Sequence, residues 1–222
     1  MKYSIILIFI VIILLIFYKT KTYKIESFLE FIHIPKNAGT TIENIANENQ
    51  IKWGRYKPEH NKYVLNNNCN YWHTPPKYFN NKSLYKKDET FCVIRNPYDR
   101  IVSEYKYRNK NKKHTPEDLN KWIHEKLIPL NYVDGGMNCH FIPQYEFVYD
   151  ENDKKVCDNI LNFDNLTNDF NKLTKKHKID LVLNKKRRDN STKNTVTVND
   201  LNDDTKQLIK TVYYKDFNEL MI

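Results

Sequence analysis

A chain of 222 residues with 40% hydrophobic and 28% charged residues is long enough for one domain with a real core, and this composition excludes a disordered or collagen-like protein. The net charge of +9 suits polyanionic partners such as nucleotide phosphates, acidic glycans or anionic lipid, and equally suits a solvated lysine-rich surface. No RNA-binding aromatic motif or zinc-finger spacing occurs, so nucleic acid is not expected as a partner.

In chain order, Ile5–Phe17 is an unbroken apolar run flanked by Lys2, Lys19 and Lys21. A bilayer takes about 20 such residues and at least roughly 17; even extended by Tyr3, Ser4 and Tyr18 the run is short of that, but no other apolar segment competes with it. No small-residue cleavage site follows, so residues 1–18 are expected to form an uncleaved transmembrane signal-anchor, with a cleaved signal peptide as the alternative. Residues 19–27 read as a short stalk and 28–222 as the domain. Lys19, Lys21 and Lys24 outweigh Lys2, which by positive-inside reasoning alone puts that domain in the cytoplasm.

The stretch Phe28–Asn49, FLEFIHIPKNAGTTIENIANEN, reads as a strand over Phe28–Ile34, a tight loop and a helix. Pro35 ends the strand because it has no amide hydrogen. Lys36, Asn37, Ala38, Gly39, Thr40 and Thr41 supply one cation, small residues and two hydroxyls at a helix N-terminus. There the free amides and the positive dipole end suit a phosphate-like or sulfate-like group. Residues 50–70 read as an irregular excursion. The prolines at 75 and 76 then hold His73 in a loop or at a strand end, and Asn80–Glu89 is a charged linker. Thr90–Arg95 is a second strand, apolar enough to be central in a parallel sheet. Asn96 can cap the helix that follows, with Pro97 in its first turn; Ser103 lies on that helix and can face Arg95. Further helices are expected at Pro116–Leu127, Leu166–Lys176 and Leu201–Tyr214, a strand within Lys155–Phe163, and extended structure over His140–Tyr149. The alternation of strand and helix predicts an α/β fold with a central, mostly parallel sheet flanked by helices.

None of the four cysteines forms C-x-x-C, so a zinc ribbon is not expected. Cys92 reads as buried and free. Cys139 and Cys157 flank a hairpin-like segment and could pair in an oxidising compartment, leaving Cys69 unpaired.

Two strand–loop–helix units thus each end in an anion-binding set: Lys36 with Gly39, Thr40 and Thr41, and Arg95 with Ser103. A Walker A loop needs its lysine after the second glycine; here the lysine precedes the glycine. HIPKNAGTTI at 33–42 and RNPYDRIVSEY at 95–105 together resemble the membrane-anchored carbohydrate sulfotransferases of the heparan and chondroitin type, in order, spacing and strand context. The resemblance implies a P-loop-like three-layer fold and PAPS (3′-phosphoadenosine 5′-phosphosulfate) as co-substrate, with no metal. It implies that Lys36 contacts the bridging oxygen and sulfonate, that the loop of Asn37, Gly39, Thr40 and Thr41 holds the 5′-phosphate, and that Arg95 and Ser103 hold the 3′-phosphate. Arg188 with Ser191, Thr192 and Lys193 resembles, loosely, the family's late loop over the nucleotide.

In-line attack of a hydroxyl on sulfur needs a base. His73 is the candidate by its similarity to the histidine of uronyl 2-O-sulfotransferase-like enzymes, and a histidine titrates near neutrality unperturbed. A packing role beside Trp72 and Tyr78 is the alternative, and Glu43 and His33 are rivals as base. His140, in a segment resembling an H-x-x-P-Q stretch of chondroitin- and dermatan-type enzymes, is assigned to structure or acceptor contact. A carbohydrate acceptor is implied; Arg55, Lys57, Lys112 and Lys113 could line a groove for an anionic sugar and could equally be ordinary surface. The family also implies a type II protein with its domain in the Golgi lumen, against the lysine count. The competing functions are a nucleotide-dependent phosphotransferase and a non-enzymatic, membrane-tethered polyanion-binding protein.

Overall fold

The computed structural model describes residues 29–65, 69–81, 84–85, 88–128, 139–187, 189 and 196–220. The expected signal-anchor and stalk lie outside the described residues, as do Arg188, Ser191, Thr192 and Lys193. Among the described residues no helix is long and apolar enough to cross a membrane.

The fold is α/β, built on a three-stranded parallel sheet in the order β1 (Leu29–Ile32), β2 (Glu89–Ile94), β3 (Asn159–Asn162). Leu29 pairs with Glu89 and Phe91 with Asn159. The central β2 is buried from Thr90 onward, as its near-continuous apolar run requires of a strand covered on both faces. The helices are α1 (Gly39–Glu48), α2 (Pro97–Arg108), α3 (Pro116–Leu127), α4 (Tyr145–Val148), α5 (Leu166–Lys176), α6 (Asp203–Val212) and α7 (Tyr214–Glu219).

Because successive strand residues point to opposite faces, each strand feeds two cores. Leu29, Phe31, Phe91, Val93 and Leu161 pack against Ile42 and Ile45 of α1, Phe170 and Leu173 of α5, and the fully buried Trp53. Ile32, Cys92 and Ile94 pack on the other face against Ile142, Phe147 and Val148. A third cluster joins α2, α3 and α6 through Ile101, Tyr105, Leu119, Ile123 and Ile209. Trp53 also donates its indole N–H to the Leu29 carbonyl at 2.8 Å, which satisfies its one polar atom.

Most element expectations agree with the structure to within a residue or two; one element and the cysteine pairing do not. His140–Tyr149 is a turn followed by the short helix α4, not an extended segment, because Gln144 and Tyr145 turn their amides onto Asp216 (3.0 and 2.9 Å). The disulfides are Cys69–Cys139 and Cys92–Cys157, with Cα separations of 5.4 and 6.2 Å, within the range a bridge spans. Cys92 is therefore not free, Cys69 is not unpaired, and Cys139 does not pair with Cys157. Parallel pairing of β2 with β3 sets Cys157, just before β3, beside Cys92. Cys139 opens the turn that packs beside residues 71–73.

Candidate functional site

The loop after β1 carries two non-glycine residues in the left-handed region, Lys36 (φ 69°) and Ala38 (φ 63°). Such residues each cost on the order of 1–3 kcal/mol and gather at ligand clamps. Ala38 is the N-cap of α1 and offers no side-chain cap, and the first turn holds no acid. The starts of α2, α3 and α6 are capped: Asn96 accepts from Tyr98 N, Thr115 from Asp118 N and Asn202 from Thr205 N, each with an acid in its first turn; α4, α5 and α7 lack a side-chain cap but carry Glu146, Asp169 and Asp216 in their first turns. α1 is thus left with open amides and an uncompensated positive dipole end.

Asn37 does not reach outward. It is 1% exposed, and its side-chain amide donates to the Val93 carbonyl (2.7 Å) and to Gln144 Oε1 (2.6 Å). Any ligand contact from Asn37 is left to its backbone. Gly39 is required by its neighbour: a Cβ there would sit 2.0 Å from His33 Nε2. Thr40 is half-buried on the first turn. Thr41 is buried and its hydroxyl accepts from Asp189 N at 3.1 Å. Asp189 also takes the Asn44 amide (2.9 Å), and Arg187 grips Glu48 through two contacts of 2.7 Å. The residues on either side of Arg188 therefore lie against α1.

Arg95, at the end of β2, reaches this loop directly. Its Nη1 donates to the Lys36 carbonyl (3.2 Å) and its guanidinium stacks over Phe163 (4.1 Å). Ser103 is half-buried further along α2. The junction between the two loops is Gln144, a residue that sequence reasoning missed. Its Oε1 accepts from Asn37 Nδ2 and from Arg95 N (2.9 Å), and its Nε2 donates to Arg95 O (2.8 Å) and to the buried Asp216 (3.3 Å). Its only sequence signal was its place four residues after His140. A second missed residue is Arg100, 3% exposed. It donates to the carbonyls of Pro35 (3.1 Å), His140 and Ile142 (both 2.9 Å), tying α2 to the same loop.

Lys36 Nζ lies 3.9 Å over the Tyr107 ring. Burial lowers its pKa to about 8, with nearby Glu104 opposing that shift and Arg95 and Arg108 adding to it.

Three histidines converge beside the loop. The rings of His33 and His73 are 4.5 Å apart and those of His73 and His140 4.8 Å, both edge to face. The outer two are each held by a buried carboxylate: His33 Nδ1 by Glu43 (2.7 Å) and His140 Nδ1 by Glu104 (2.8 Å). Among the described residues no carboxylate bonds His73, and its Nδ1 is buried without a hydrogen-bond partner. Its pKa lies well below the ordinary histidine value, first from burial and then from His33, His140, Lys36 and Arg100. The expectation of an unperturbed histidine is thus corrected. The rivals Glu43 and His33 are bonded to one another, and Glu43 is further engaged by Arg55 (Nε at 3.3 Å). Among the described residues no three His, Cys, Asp or Glu side chains form a metal-binding group.

Of the basic residues placed along an acceptor groove, Arg55 is occupied by Glu43 and Lys57 by the buried Glu30. Only Lys112 and Lys113 of that set are exposed. A cavity of about 730 Å³ opens elsewhere, between α3 and residues 199–204, and none of the candidate residues lines it.

A parallel α/β sheet with an open lysine loop at one helix N-terminus, joined to an arginine from the next strand end, defines a group-transfer enzyme of the P-loop-like class. The family model described as "Sulfotransferase family" matches residues 22–220, and the chain belongs to that family. No curated protein matches, and neither does any solved structure.

Proposed function

We propose that the protein transfers the sulfuryl group of PAPS to a hydroxyl of a carbohydrate acceptor, with His73 as the group that takes the acceptor's proton. The observation that carries this reading is the direct linkage of two anion-binding sets, the open α1 N-terminus with Lys36 and the β2 end with Arg95, through the Lys36 carbonyl and Gln144.

The donor set suits a nucleotide with phosphates at both ends. The left-handed loop and free α1 amides match the 5′ side, and Arg95 with Ser103 the 3′-phosphate. PAPS, when bound, supplies an activated sulfuryl group and a phosphate leaving group. Lys36 offsets the charge that develops on the departing oxygen, as preorganised donors do in a dry site. A lysine with a pKa of about 8 is mostly charged at neutral pH. Arg95 and Ser103 then orient the nucleotide, and the neutral His73 is in the protonation state that a base needs. Against the phosphotransferase reading stands the placement of the lysine before the glycine. Lys112 and Lys113 favour an anionic acceptor. Two disulfides favour an oxidising compartment, in line with a lumenal domain behind a type II anchor.

The test is thermal protection by PAP (3′-phosphoadenosine 5′-phosphate) against ATP with magnesium, followed by transfer from labelled PAPS to glycans, small alcohols and tyrosyl peptides. Expected are protection by PAP, transfer to glycan, loss of transfer in Lys36→Ala, and retained PAP binding without turnover in His73→Ala. Better protection by ATP with magnesium sinks the reading, and a fully active His73→Ala sinks the base.

A further inference from the structure

His73 is well placed to receive a proton and poorly placed to keep it. A cation on its ring would be buried beside Lys36 and Arg100 with no anion in contact among the described residues, a costly arrangement. Burial lowers the pKa of its neighbour His140 as well, with Arg108 and Lys36 adding to the shift, but there the hydrogen bond and charge of Glu104 oppose it, which nothing among the described residues does for His73. Glu104, 1% exposed on α2, accepts from His140 Nδ1 at 2.8 Å and from Arg108 Nε at 2.7 Å. The His140 bond comes before Arg108 and Lys36 in keeping the Glu104 pKa at about 2 despite burial, so Glu104 stays an anion throughout. A neutral His140 that donates Nδ1–H to a carboxylate carries its free lone pair on Nε2.

We propose that the Glu104–His140 pair is the proton sink of the transfer step: His140 takes on the proton released through His73, and Glu104 is the positioning residue that holds its tautomer and balances its charge. This rests on the sulfuryl-transfer reading above. In the balanced step, the acceptor oxygen bonds sulfur while the sulfur–oxygen bond to the nucleotide breaks, and the electron pair leaves with the nucleotide phosphate. The acceptor's proton goes to one nitrogen of His73. The proton on the other nitrogen of that ring then reaches His140 Nε2; the two rings share no hydrogen bond in the ligand-free structure, with centroids 4.8 Å apart, so this transfer goes through a bridging water or a small approach of the rings.

Two further features point to this pair. The Cys69–Cys139 bridge joins the segment just before His73 to the residue just before His140, which holds the two rings at 4.8 Å. His140 also stacks at 6.1 Å on Tyr107, the ring that carries the Lys36 ammonium, so it stands beside the donor lysine. The mirror pair His33–Glu43 is a poorer sink because His33 Nε2 is turned onto Gly39. The groups facing His140 are Glu104, Tyr107 and Arg108 from α2, Lys36 from the loop, His73 from the 71–73 turn, and Arg100 at its carbonyl.

The first readout is histidine NMR titration of the ligand-free protein. His140 is expected to protonate at higher pH than His73, and Glu104→Gln to lower the His140 pKa. Protonation of His73 before His140 overturns the proposal, whatever the enzyme transfers. The second readout is kinetic. Glu104→Gln should lower the kcat plateau roughly 10- to 100-fold, the scale of a weakened proton acceptor, with PAP affinity and KM unchanged. The acid limb of the kcat profile should move to lower pH, and Glu104→Asp should restore it in part. A structural role alone would raise KM or lower the plateau without moving the limb, and overturns the proposal. If Glu104→Gln does not fold, His140→Asn, which keeps a donor for Glu104, should bind PAP and fail to turn over; full turnover in that variant overturns it too. A wild-type protein that neither binds PAP nor transfers sulfate refutes the functional reading instead, while the titration order still stands or falls alone.

Discussion

Replacing Gln144 with alanine removes the side chain on which the loops after β1 and β2 both hang. Gln144 is fully buried and its amide makes bonds to Asn37 Nδ2, Arg95 N, Arg95 O and Asp216 Oδ2. A buried side-chain hydrogen bond contributes a net of about 1 kcal/mol, so the four together amount to about 4 kcal/mol. The Asn37 amide keeps its bond to the Val93 carbonyl, which limits the loss, whereas the Arg95 backbone N–H is left beside a cavity. A loss of about 3–4 kcal/mol is therefore expected, equivalent to roughly 6–16 °C in Tm for a domain of this size. Urea unfolding of Gln144→Ala measures it, with PAP affinity measured in parallel at a temperature where the variant is folded. Because the Arg95 guanidinium meets Lys36 at its backbone carbonyl, PAP affinity should fall as well. A stability loss under about 1 kcal/mol would show that these bonds are replaced by water, and unchanged PAP affinity would show that the two loops do not depend on their junction.

Burial depresses the Lys36 pKa to about 8, while the unfolded chain keeps the ordinary lysine value. Between those values the unfolded state holds a proton that the folded state has released, so Lys36 makes stability rise with pH from about 8 toward 10.5. Urea midpoints of wild type and Lys36→Met across that window should diverge in this direction; parallel curves refute the burial argument. The double variant Cys69→Ser/Cys139→Ser opens a loop of sequence separation 70, for which chain entropy suggests a loss of about 4 kcal/mol. Thermal unfolding with and without reductant tests this, and a Tm that is unchanged in the variant contradicts it.

The residues proposed to hold a phosphosulfate were legible because their chemistry is local. A proline that ends a strand, small residues that open a helix, a lysine among them, and an arginine at the end of an apolar strand can each be read from spacing and residue type. The parallel sheet, with its central apolar strand β2, was legible for the same reason. The partners of those residues were not. Gln144 and Asp216 are separated by 72 residues, and nothing in their neighbourhoods distinguishes them from surface amides and acids. The cysteine pairing was misread because distance along the chain stands in poorly for distance across a parallel sheet, where β3 returns beside β2 only after a long crossover.

The three histidines mark the division most sharply. The sequence by itself determined that His33, His73 and His140 exist near motifs of the right chemistry. Only the tertiary structure decided that their rings touch in a row, that the outer two are backed by buried carboxylates, and that the middle one is not. Whether a histidine can keep a proton depends on burial and on the charges within a few ångströms of it, and these come from segments scattered over more than a hundred residues.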